Sequence, residues 1–165
     1  MKPFDNLDAA KKANVQVKSY SRTDTNRGVA WSCNVYLGGK KLGMVSNDGS
    51  GGMTMVDIST DLQRQVVEAL KVAGYQLELT LGDCLIDEPD TVEGWFEFAI
   101  GQMGDEVFEL KYYKRRAKTH TFVEKLTAPF FAEYKAQDTP VTRAALQRQL
   151  GQDLVRFLND TIQAY

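Results

Sequence analysis

The alternation from Val29 to Leu37 leaves this chain the least freedom in what it can fold into. Val29, Trp31, Cys33, Val35 and Leu37 fall on one side, and Ala30, Ser32, Asn34 and Tyr36 on the other. A period of two sustained over that length marks a half-buried β-strand. Gly38-Gly39 follows, and paired glycines supply the positive φ angles that a tight hairpin turn requires. Residues 40–45 return as a second strand, with Leu42 and Met44 facing one way, and 53–58 read as a third. Upstream, 14–22 alternates as well, with Val15, Val17 and Ser19 on one side and Gln16, Lys18 and Tyr20 on the other. An antiparallel meander is the economical arrangement.

Helical spacing takes over beyond residue 58. Ser59-Thr60-Asp61 offers N-caps ahead of Leu62, Val66, Val67 and Leu70, and Gly74 is placed to end that helix. Residues 76–80 alternate again as a strand. From Val92 to about Lys118, Trp95, Phe96, Ala99, Met103, Val107 and Leu110 recur at intervals of three and four, which predicts one long helix. Gly94, Gly101 and Gly104 each weaken it by about 1 kcal/mol relative to alanine, and Gly104 is where it would break. Residues 120–125 read as a short strand, and Ala128-Pro129-Phe130-Phe131 interrupts the pattern. Thr139 and Pro140 then open a last helix with Leu146, Leu150, Leu154, Phe157, Leu158 and Ile162 as its stripe. That helix is expected to be core or half of a homodimer contact. Residues 1–13, anchored only by Phe4 and Leu7, read as a loosely attached arm. The expectation is a single α+β domain over 1–165, with an antiparallel sheet of four or five strands packed by two or three helices.

Composition narrows the function classes. With 165 residues, 43% of them hydrophobic, the chain can bury a substantial core. A net charge of -2 gives no global field toward nucleic acid or an anionic membrane, so such binding would need a local patch. No apolar run approaches a membrane span and the N-terminus lacks the apolar centre of a signal peptide, so a cytoplasmic protein is expected. Cys33 and Cys84 then read as free thiols in a reducing compartment, although a disulfide between them stays open.

Chemistry-bearing residues fall into four groups. Ser46-Asn47-Asp48-Gly49-Ser50-Gly51-Gly52 resembles a phosphate cradle, yet no Lys-Ser/Thr pair opens a helix after it, and Met53-Thr54-Met55 reads as strand. Calcium would want a closing Glu that is missing. Three readings stand in descending order: a tight turn whose Asn and Asp bond to neighbouring backbone, a partner contact through Asn47, Asp48 and Ser50, and a small-ligand or metal site. Asp87, Glu88 and Asp90, together with Asp83, Glu93 and Glu97, form either a solvated acidic turn or a negative surface offered to a partner. Lys111, Lys114, Arg115, Arg116 and Lys118, with Tyr112 and Tyr113 among them, either complement a helix dipole or contact phosphates while tyrosines stack on bases. His120 is the lone histidine, so no histidine pair can hold zinc, and catalysis would have to pair it with nearby carboxylates. No metal, no cofactor and no enzymatic activity are expected.

Residues 36–43, Tyr-Leu-Gly-Gly-Lys-Lys-Leu-Gly, followed by Val45-Ser46-Asn47-Asp48-Gly49-Ser50-Gly51-Gly52, resemble a family of small uncharacterised phage and plasmid proteins. In that family a strand ending in a Gly-Lys-Lys turn leads into a Ser-Asn-Asp-Gly loop, and a later acidic-to-basic helix precedes a short strand. Glu106 to Lys118 followed by Thr121-Phe122-Val123 is similar, whereas Gly38 stands where an acidic residue or Asn is common. The resemblance covers about a third of the chain. It implies an accessory protein of a mobile element, expected to bind and inhibit a macromolecule of its bacterial host, most plausibly a protein such as a defence component. Binding of nucleic acid through 111–118 is the alternative expectation.

Overall fold

Where β-alternation and helical spacing follow one another along a chain, separate layers of sheet and helix result, and the fold is α+β as expected. The computed structural model describes residues 5–81, 84–85, 87–127 and 131–164. Length alone predicts one domain; the chain divides into two compact units, Asp5–Val107 and Phe108–Tyr165, with residues 1–4 outside the described part.

The N-terminal unit contains α1 (Asp5–Lys12), β1 (Val15–Thr25), β2 (Gly28–Leu37), β3 (Lys40–Asn47), β4 (Met55–Val56) and α2 (Thr60–Ala73). A small hairpin, β5 (Thr80–Leu81) with β6 (Cys84–Leu85), and the start of α3 (Val92–Arg116) complete it. The meander is present as an antiparallel sheet in the order β1-β2-β3-β4. Val17 pairs with Val35, and Cys33 with Val45, so one face of the sheet is apolar. That face packs on Val66, Val67 and Leu70 of α2 and on Trp95, Phe96, Ala99, Ile100 and Met103 of α3. Each fully buried Val, Leu, Ile, Phe or Met among them contributes about 1.5–3 kcal/mol.

Tyr20 departs from the simple alternation. The β1–β2 register shifts between Lys18 and Ser21, and Ser19 takes a φ of 55°. A bulge of this kind inserts one residue and flips the faces beyond it. Tyr20 therefore turns inward beside Val15 and Val17, and Ser19, expected inside, is exposed. The Tyr20 hydroxyl donates to Asp105 Oδ1 at 2.7 Å, and Arg22 donates to the same oxygen at 2.9 Å. Burial and the Asp105 carboxylate together push the phenol well above its usual range. Its ring lies on Gly104, where an added Cβ would collide with it. α3 runs unbroken through Gly104, so that glycine marks a close approach rather than a break.

The segment expected as a loose arm is, over 5–12, a docked helix. Leu7, Ala9 and Ala10 of α1 are buried, and Asn6 is 3% exposed. The Asn6 amide donates to the Gln76 carbonyl at 2.7 Å and accepts from the Gln76 N–H at 3.0 Å. Gln102 takes the next positions, accepting from the Glu78 N–H and donating to the Gln76 carbonyl. Side chains of two helices thus satisfy backbone groups that a strand partner would otherwise pair, and the strand expected over 76–80 contracts to Thr80–Leu81.

The C-terminal unit takes the end of α3, then β7 (Thr121–Lys125), β8 (Phe131–Tyr134), α4 (Pro140–Leu150), β9 (Leu154–Phe157) and α5 (Leu158–Ala164). The strands form a second antiparallel sheet in the order β8-β7-β9. Tyr113, Phe122 and Phe131 pack edge to face around Phe122, which is fully buried. Thr139 caps α4 by accepting from the Thr142 N–H, with Pro140 in the first turn, as the sequence predicts. The long C-terminal helix does not form. Gly151, at φ 53°, ends α4, one 3₁₀ turn follows, and β9 pairs with β7 through Val123 and Phe157. Pairing to a central strand outweighs helical spacing here, and the continuous apolar helix invoked for a homodimer is absent. Asn159, fully buried, accepts from the Phe122 N–H at 2.7 Å and donates to the His120 carbonyl at 2.9 Å, acting as a strand partner for β7.

Candidate functional site

The Ser46–Gly52 loop is first of all a turn that bonds to itself. Asn47 Oδ1 accepts from the Gly49 N–H at 2.8 Å, and Asp48 Oδ1 accepts from the Ser50 N–H at 2.9 Å and the Ser50 hydroxyl at 2.6 Å. The two Ser50 bonds hold the Asp48 carboxyl below its usual range. Gly49, at φ 72°, is buried against the backbone of Val29 and Ala30, and its carbonyl accepts from Thr25 Oγ1 at 3.2 Å. The Asn and Asp side chains thus occupy the Gly49 and Ser50 N–H groups, which are not left to converge on an anion.

The loop nevertheless borders an open concavity of about 350 Å³ on the outward face of the sheet. Ser21, Ser32 and Ser46 form a row across three strands, with the Ser21 and Ser32 hydroxyls 3.0 Å apart. Asn47, Asp48, Met53 and Met55 border the trough. Met53 is 91% exposed and Met55 74%, and Met44 on the same face is 49% exposed. Of the candidates in this loop, Asn47 and Asp48 line the trough and Ser50 does not. Sequence reading missed the methionines, since it placed Met53 and Met55 inside a strand without knowing how short β4 would be.

The acidic loop divides in the same way. Glu88 Oε1 accepts from the Trp95 indole N–H at 2.7 Å and lies 3.4 Å from Lys71 Nζ, whose ammonium sits 4.9 Å from the Trp95 ring centroid. Glu88 therefore anchors a buried tryptophan, while Asp87 and Asp90 are exposed. Asp83 lies outside the described residues. Among the described residues no hydrogen bond or ion pair joins this loop to the Asn47-Asp48 turn.

Charge is distributed unequally between the units. Asp5–Val107 carries nine Lys and Arg against sixteen Asp and Glu, whereas Phe108–Tyr165 carries ten against six. In the second unit five of the six acids are drawn into pairs: Glu133 with Arg116, Asp153 with Lys125, Asp138 and Asp160 with Arg143, and Glu124 with Arg156. Lys111, Lys114, Arg115 and Lys118 are exposed and form no ion pair among the described residues. Arg116 is the exception in the predicted basic set, since Glu133 and the Tyr112 ring hold it. Tyr113 is likewise committed, to the aromatic cluster, which leaves Tyr112, 44% exposed.

His120 is held by its neighbours. Arg116 approaches Nε2 at 3.2 Å and Thr119 Oγ1 approaches Nδ1 at 2.8 Å. A guanidinium only donates, so Nε2 accepts and the Nδ1 proton goes to Thr119. The carboxylate near the ring is Glu133, 3.8 Å from Nε2; Asp87, Glu88 and Asp90 belong to the other unit. Cys33 is a free thiol, and burial pushes it up to about 12, far from a reactive thiolate. The side chain of Cys84 lies outside the described residues. No helix among the described residues is long and apolar enough to cross a membrane.

No family model matches the chain, and neither a curated protein nor a solved structure matches it.

Proposed function

We propose that the chain is a non-enzymatic accessory protein of phage or plasmid type that binds and inhibits a protein of its bacterial host, in the host cytoplasm. The observation that carries this reading is the trough on the outward sheet face, where Met53 and Met55 stand exposed beside Asn47 and Asp48. Methionine is flexible and polarizable, and adapts to irregular partner surfaces. A floor of small serines lets a partner side chain approach the sheet closely. The negative balance of this unit favours a basic partner face, with Asp87 and Asp90 as further contacts. A binding role is preferred over catalysis because the one imidazole is tied between Arg116 and Thr119.

Affinity capture from bacterial lysate after nuclease treatment tests the reading, with the native chain and Met53→Asp/Met55→Asp side by side. A stoichiometric host protein retained by the first and lost by the second is expected. Equal capture by both would remove the trough from the interface. Both methionines are exposed, so the variant keeps the fold, which a melting curve checks.

A further inference from the structure

The outer face of α3 in the C-terminal unit combines two features that helix stability does not require together. Phe108, Lys111, Tyr112 and Arg115 fall at i, i+3, i+4 and i+7, which places them on one face of the helix. Lys114 lies beside this stripe, and Lys118 follows just past the helix end. Phe108 and Tyr112 are each 44% exposed, an uncommon state for two rings one turn apart. Tyr112 is also pre-positioned, with Tyr113 edge to face at 5.5 Å and Arg116 at 5.5 Å from its ring centroid.

Dipole complementation accounts for cations in the last turn of a helix. It does not account for Lys111, a turn earlier, or for exposed rings between the charges. The unit's own acids do not explain the cations either, because five of the six pair with Arg116, Lys125, Arg143 and Arg156. Surplus positive charge is thus gathered on one stripe together with two partly exposed rings. A duplex offers phosphates but keeps its base faces stacked, whereas a single strand offers both phosphates and bases.

We infer that the α3 stripe Lys111, Lys114, Arg115 and Lys118, with Phe108 and Tyr112, binds single-stranded nucleic acid. The cations track the phosphates and the rings stack on unpaired bases. This surface belongs to the other unit than the trough and stands on separate observations.

Fluorescence anisotropy of the full chain with a labelled oligothymidylate, and with a duplex of similar length, provides the test. With about four phosphates neutralised, affinity should fall about 50-fold between about 50 and 200 mM salt. Lys111→Glu/Lys114→Glu/Arg115→Glu should abolish binding. Tyr112→Ala should weaken it by about tenfold without changing the salt slope, and Tyr112→Phe should restore most of the loss, since stacking needs only the ring. All of these side chains except the buried part of Tyr112 face solvent, and circular dichroism confirms folding. Duplex bound more tightly than single strand, binding unchanged by the charge reversals, or equal competition by polyglutamate would each overturn the inference; the last would mark an acidic protein as the partner.

Discussion

The two units are held together by different means. The N-terminal unit rests on apolar contact: Val17, Val35, Val45, Leu70, Phe96 and Met103 belong to one cluster that runs from α1 to α3. Among the described residues each unit has one buried asparagine, Asn6 and Asn159, but the C-terminal unit has a smaller apolar set around Phe122 and draws most of its acids into ion pairs at Arg143, Arg156, Lys125 and Arg116. The contrast extends to the surface. In the acidic unit, polar side chains near the candidate loop satisfy the loop itself, and what remains exposed is methionine. In the basic unit, acids satisfy selected cations and leave the others gathered on α3. A net charge of -2 conceals both facts. Surfaces available to a partner are found by asking which groups the fold leaves over.

The comparison can be broken most readily at Asn159. Asn159→Ala strips partners from the Phe122 N–H and the His120 carbonyl, and leaving such groups buried and unpaired costs roughly 2–5 kcal/mol. Chemical denaturation followed by amide exchange should show β7 and β9 losing protection first. A uniform loss across β1–β3 would mean that the units do not differ as described.

In the N-terminal unit the corresponding test is steric. Gly104→Ala drives a methyl into the Tyr20 ring, and the overpacking, about 1–3 kcal/mol, should exceed the helix-propensity gain of about 1 kcal/mol. Gly101→Ala meets only Trp31, at an ordinary 3.5 Å, so it should be neutral or stabilising by up to about 1 kcal/mol. Thermal melts of the two variants should therefore shift in opposite directions.

Acid gives the smallest effect. Asp153, bonded by Lys125 and Thr127, and Asp160, bonded by Arg143, are both held below the usual carboxylate range. Their stabilisation is present above the unfolded-state value, near pH 4, and is lost as pH falls through the lower folded values. Amide protection in β7–β9 should fall there before that in β1–β3.

What could be read from the sequence follows from which forces are local. The Val29–Leu37 alternation, the Gly38-Gly39 turn, the Thr139-Pro140 cap and the length of α3 were legible, because each depends on neighbours in sequence. The inward turn of Tyr20 was not, since one bulged residue reverses every later face. Gly104 was read through propensity, but its reason lies in a ring more than eighty residues away in sequence. The Leu146–Ile162 stripe kept helical spacing while pairing with β7 claimed two of its residues, Leu154 and Phe157. In the candidate sites the residue types were legible and their commitments were not. Glu88, Ser50, Arg116 and Tyr113 carried the right chemistry but are engaged by the fold, whereas Phe108, Met53 and Met55 are exposed where periodicity gave no sign.

If the trough and the α3 stripe bind their partners independently, one paired assay separates them. Host-protein capture and oligothymidylate binding would be measured for the native chain, for Met53→Asp/Met55→Asp and for Lys111→Glu/Lys114→Glu/Arg115→Glu. The account predicts a double dissociation, with the methionine variant losing only protein capture and the charge-reversed variant losing only the oligonucleotide. A variant that loses both while still folded, or one that loses neither, would contradict it.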